Sequence, residues 1–119
     1  MGTLVYSTTG QEFAFDDYVL QHLQILFAGK LRRGENFFLS WRDPQSVGDG
    51  RSAVWVDPSI PLYFRYDGPA HKQLDREWLE EMAVASLSPG GLDLSDDPRM
   101  SHQVGSKGNS VKRKDQPLS

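Results

Sequence analysis

The hydrophobic period of this chain switches between two and about 3.6, and each switch marks an element. Residues 4–7 and 12–15 are short β-favouring runs. In the second, Phe13 and Phe15 alternate with Glu12, Ala14 and Asp16, so one face is buried and the other meets water. Gly10, in the link between the runs, supplies the positive φ of a tight turn, and the pair reads as an N-terminal hairpin. Asp16 and Asp17 then offer an N-cap and an acidic first turn. Val19, Leu20, Leu23, Leu26, Phe27 and Leu31 recur at three- and four-residue spacing, which predicts an amphipathic helix. His22 lies off that stripe and is expected in solvent. Lys30, Arg32 and Arg33 complement the negative end of the helix dipole, and Gly34 suits the left-handed position beyond it.

Residues 37–41 are almost continuously apolar, as in a central strand covered on part of both faces. The stretch 42–51 is too long for a two-residue hairpin and too rich in glycine for a helix. Strand patterns resume at 53–56 and 62–66, separated by a turn holding Pro58 and Pro61, which cannot donate to a ladder. Three successive strands with short links predict an antiparallel meander. With helices on one face of it, Leu62 and Phe64 point inward while Tyr63 and Arg65 point out. A second helix spans 74–87, with Asp75 as N-cap and Trp78, Leu79, Met82, Ala83 and Ser86 on one side. Leu92 and Leu94 follow, to form a brief edge strand or pack back on the sheet. From Ser95 there is little apolar surface to offset the entropy of ordering, so 95–119 is expected as a disordered polar tail. The expectation is one α+β domain over 1–94 in the order ββαβββα, a mostly antiparallel sheet with two helices packed on one face.

Composition sharpens this in three ways. A chain of 119 residues and 13.4 kDa supports one modest core. The absence of cysteine excludes a disulfide framework and thiolate metal sites and fits a reducing compartment. With no run near the roughly 20 apolar residues of a membrane span and no signal-peptide pattern at the start, a cytoplasmic location is expected. The charge is uneven: residues 1–94 carry eight Lys and Arg against thirteen Asp and Glu, whereas 95–119 carry five against three. An acidic domain works against non-specific nucleic-acid binding, which needs clustered cations to displace counterions. Lys112, Arg113 and Lys114 form a small basic cluster in the tail, of the solubilising kind.

The most function-like segment is the loop Ser46, Val47, Gly48, Asp49, Gly50 and Arg51. Glycines there can turn N–H groups toward an anion, and an arginine can clamp a phosphate or carboxylate. It matches no phosphate-loop signature, because strand follows it rather than Gly-Lys-Ser/Thr and a helix. The plainer reading is a bulged turn with Arg51 paired to Asp43 or Asp49. Asp43, Asp49, Asp57 and Asp67 fit no calcium loop and are ordinary turn formers. His22, His71 and His102 lie in three separate contexts and assemble no local metal site or triad. Trp41, Arg42, Trp55, Tyr63, Arg65 and Tyr66 interleave aromatics with cations on neighbouring strands, a pattern that serves stacking on single-stranded nucleic acid or a peptide, and equally the packing of helices.

The segments KLRRGE, SW-R, SVGDGR and SIPL, followed by LDREWLEEMAVASLSPGGL, occur in an order and spacing that resembles a family of small actinobacterial proteins of unknown function. The resemblance covers residues 1–94; many members carry the label ATP-dependent DNA ligase. What it implies is a compact domain. Ligases of that kind use a Lys-x-Asp-Gly motif whose lysine takes the adenylate. The nearest string here is Arg65, Tyr66, Asp67 and Gly68, and an arginine does not lose its proton to become that nucleophile.

These readings favour a small non-enzymatic binding or assembly module with no catalytic residues, no metal and no cofactor. Its partner is an unknown protein or a second copy on the open sheet face. The alternative is a nucleotide- or DNA-linked accessory function, with ATP and Mg²⁺ as cofactors. It would use Ser46, Gly48, Asp49, Gly50, Arg51, Arg42, Trp41, Arg33 and Arg65, with Arg32 beside them.

Overall fold

The computed structural model describes residues 1–43 and 50–100. It is an α+β fold with strands β1 (Gly2–Tyr6) and β2 (Gln11–Phe15), helix α1 (Asp17–Arg32), strands β3 (Phe37–Arg42), β4 (Arg51–Val56) and β5 (Leu62–Arg65), helix α2 (Arg76–Ala85) and strand β6 (Leu92–Asp93). The predicted hairpin forms, with Leu4 opposite Phe13 and Gly10 at a φ of 73°. Both predicted caps form: Asp16 accepts from the Tyr18 N–H at 2.8 Å and Asp75 from the Trp78 N–H at 3.0 Å. Gly34, at a φ of 71°, ends α1 as expected.

The meander does not form. The strands make two three-stranded sheets, β2-β1-β5 and β4-β3-β6, rather than one. β3 and β4 pair antiparallel as predicted, but β5 leaves them and pairs antiparallel with β1, placing Phe64 opposite Leu4. The turn holding Pro58 and Pro61 is therefore a crossing between sheets, anchored where the Ser7 N–H donates to the Pro61 carbonyl at 2.9 Å. β6 takes the vacant side of β3 in parallel, with Leu92 beside Leu39. The central position expected of residues 37–41 is thus real, with a different neighbour.

The two sheets turn their inner faces to one core that α1 and α2 close. Leu4 and Phe15 from the first sheet, Leu39, Trp41, Val54 and Val56 from the second, Val19, Leu20, Leu23 and Phe27 from α1, and Trp78 and Met82 from α2 are all buried in one cluster. Trp41 joins the sheets, its ring centroid 5.1 Å from Phe13 and 5.0 Å from Phe15.

His22 is a correction: it is fully buried. The Asp75 N–H donates to its Nε2 at 2.9 Å, which places the ring proton on Nδ1, 2.8 Å from the Tyr18 carbonyl it donates to. The imidazole packs 5.0 Å from the Trp78 ring and so ties the start of α2 to α1. Residues 95–100, assigned above to the tail, are packed onto the fold instead. Asp97 accepts from the Trp78 indole N–H at 2.8 Å, Arg99 pairs with Asp75 and Glu81 at 2.9 Å each, and Met100 is buried. A buried indole N–H needs an acceptor, and the segment beyond Leu94 supplies it. No described helix is long and apolar enough to cross a membrane.

Candidate docking face

Strand alternation decides which side chains the second sheet shows to solvent. Phe37, Leu39 and Trp41 of β3 point inward, so Phe38, Ser40 and Arg42 point outward. The register puts Trp55 opposite Phe38, Ala53 opposite Ser40 and Arg51 opposite Arg42, with Asp93 of β6 on the other side of Ser40. The outer face therefore has an aromatic row, a middle row of Ala53, Ser40 and Asp93, and a cationic row.

The aromatic row is open. Phe38 is 45% and Trp55 37% exposed, in edge-to-face contact with centroids 4.9 Å apart. They wall a groove of about 460 Å³ whose far side is the end of α2, including Leu87, 71% exposed. Gly91, at a φ of 79°, closes its base; a Cβ there would lie 2.3 Å from the Phe38 carbonyl oxygen, so only glycine lets the chain after α2 reach β3. At the end nearest α1, Lys30 is 2% exposed, its Nζ 2.9 Å from Glu35 Oε1 and 5.7 Å from the Phe37 ring centre. Hydrogen bonds from Lys30, then Arg33, hold the Glu35 carboxyl below its ordinary range. The Tyr6 hydroxyl donates to the Trp55 carbonyl at 2.5 Å and braces β4 against the first sheet.

The cationic row is internally neutralised. Arg51 lies 3.2 Å from Asp93 and Arg42 3.6 Å from Asp96. Arg51 thus pairs with Asp93 rather than with Asp43, and Asp49, the other partner read from sequence, lies outside the described residues; Asp43 accepts from the Ser52 hydroxyl at 2.9 Å, and its N–H donates to the Gly50 carbonyl. Of the candidate ligand-binding residues, Ser46, Gly48 and Asp49 lie outside the described residues. Gly50 and Arg51 sit beside Arg42 across the β3–β4 ladder. Trp41 is not displayed with them, being 1% exposed on the inner face. Arg33 is at the other end of β3, bound to Glu35 at 3.1 Å, and Arg65 is on the first sheet, 3.7 Å from Glu12. The structure gathers Gly50, Arg51 and Arg42 and separates Arg33, Arg65 and Trp41 from them. Sequence reading missed Phe38 and Leu87. Two adjacent aromatics in a strand, Phe37 and Phe38, must face opposite ways, which was the available signal for the first; Leu87 falls in the last turn of the predicted helix, off its apolar side, whereas α2 ends at Ala85 and leaves Leu87 exposed.

Among the described residues no three His, Asp or Glu side chains come together in a metal-holding group. The fold and this face define a small α+β domain of two sheets, one of which shows an aromatic pair on its outer face. Residues 1–97 match the family model described as Domain of unknown function (DUF7882), and the chain belongs to that family. No significant match is found among curated proteins or among solved structures.

Proposed function

We propose that this chain is a non-enzymatic module that docks onto a protein surface through the outer face of the β4-β3-β6 sheet. The observation that carries it is the pair Phe38 and Trp55, held half out of water on a rigid ladder beside the exposed Leu87. Aromatic side chains dominate the energetic centres of protein interfaces, and those fixed by a sheet lose little rotamer freedom on docking. Each carries apolar surface worth about 25 cal/mol per Å² when it leaves water. The paired charges at the other end of the face leave no free cation cluster for a polyanion among the described residues.

A photo-crosslinking amino acid at position 55, compared with one at Tyr63 on the outer face of the first sheet, tests this reading in cells. Position 55 is expected to yield discrete protein adducts and position 63, although 58% exposed, none of them. Identical adducts from both positions, or none from 55, would remove the docking assignment.

A further inference from the structure

We infer that the occupant of this face is a second copy of the chain, packed sheet to sheet about a two-fold axis that runs along β3; the inference rests on the docking reading above. The row order dictates the axis. A two-fold along the strands lays each row over its own copy and exchanges the two edges of the sheet. A two-fold across the strands would lay the aromatic row over the arginine row and leave charges against Phe38 and Trp55.

With the axis along β3, aromatic meets aromatic, and Trp55 of one copy faces the side of the partner's groove that Leu87 lines. At the other end the edge exchange brings Arg51 on β4 to the β6 side of the partner, one row from the partner's Asp93, so the long guanidinium side chain reaches that carboxylate diagonally, and the reverse, and charge complements charge twice. Both members of the intramolecular Arg51–Asp93 pair are more than half exposed, at 57% and 52%, and are free to share with a second copy. Arg42 and Asp96 behave alike, so the face is neutral although the chain carries a net charge of −3. Copies that repel elsewhere meet here without repulsion. Between the two rows stand Ala53 and Ser40, small enough to let sheets approach to the usual spacing of about 10 Å. The assembly is isologous and closes at two copies.

Its strength follows from its size. The six-residue strands β3 and β4 reach about 20 Å, and with the two-residue β6 the sheet spans roughly 10 Å across. That patch, even with Leu87 and the groove rim, falls short of the roughly 800 Å² per partner of a standard interface. The dimer is therefore weak and depends on concentration.

Sedimentation velocity on the full chain from micromolar to millimolar concentration tests it, with thermal melts confirming that each variant folds. Wild type is expected to rise from 13.4 kDa toward twice that mass, with Leu87→Glu weakening association about tenfold or more. Arg51→Asp and Asp93→Arg, each alone, put like charges opposite each other and should stay monomeric. Mixed one to one they restore both cross-pairs and should form the heterodimer. A wild type that stays monomeric to millimolar concentration would overturn the second-copy assignment while leaving the crosslinking result from position 55 to stand or fall by itself. A wild-type dimer whose two charge variants fail to combine would overturn the two-fold geometry.

Discussion

Both sheets put an apolar face into one core, and they differ in the face they show to solvent. In the first, the outward positions are Thr3, Val5, Glu12, Ala14, Tyr63 and Arg65, and Arg65 reaches Glu12 across β1. In the second they are Phe38, Trp55, Ser40, Ala53, Arg42 and Arg51. Each inner face is apolar and shared, so folding alone accounts for both. Folding does not account for Phe38 and Trp55 on the outside, where a charged or hydroxyl side chain keeps a strand equally well and resists association better. The contrast places stability at the joint between the sheets and, on the docking proposal, interaction on the outer face of one.

The largest effect should come at the joint. Trp41→Ala removes the ring that packs on Phe13 and Phe15 and is expected to cost about 3–5 kcal/mol in urea unfolding. The loss should appear as one transition, because both sheets share the cluster; two separated transitions would make them independent units. Next comes the link between the helices. His22→Phe keeps an aromatic ring beside Trp78 but leaves the Asp75 N–H without its acceptor, for about 1–3 kcal/mol. A neutral outcome would show that the ring's bulk alone matters.

Acid should weaken the same region. The Asp75 carboxyl is held below its ordinary range, first by the Trp78 N–H and then by Arg99, and Glu35 by Lys30 and Arg33. A depressed folded value means stability that is present above the ordinary carboxylate value of about 4 and is lost as pH falls through the lower folded values. Urea midpoints between pH 7 and pH 2 should drop for wild type and drop less for Arg99→Gln, which lacks one of those stabilising partners. Smallest are the surface changes. Tyr63→Ser on the first sheet should move stability by no more than about 0.5 kcal/mol and Trp55→Ser by about 1 kcal/mol, while only the second abolishes association.

Much of this was readable along the chain, and what was not has a common cause. The hairpin, both helices, their caps at Asp16 and Asp75 and the glycine at 34 all rest on interactions within a few residues. The choice of β1 over β4 as the partner of β5 rests on burying Phe64 against Leu4 and Phe27, contacts that lie far apart in sequence. His22 read as solvated because periodicity knows only one helix, whereas its acceptor nitrogen serves a backbone N–H fifty-three residues away. Residues 95–100 read as tail because Asp97 and Arg99 are polar; their partners, the Trp78 indole and Asp75, are on another element. Within the site, Arg42 and Arg51 were found by residue type, but their neutralisation by Asp96 and Asp93 needed β6 beside β3.

Trp55 also reports directly on whether the bare face is covered, since Trp41 and Trp78 are 1% and 0% exposed and hidden from a quencher. Acrylamide quenching of tryptophan emission, followed from micromolar to millimolar protein, is the most direct test of whether a second copy covers this face. The quenchable fraction should be that of Trp55 in dilute solution, shrink as concentration rises and stay constant in Leu87→Glu. A wild-type fraction that does not change with concentration would contradict the pairing of this face with a second copy.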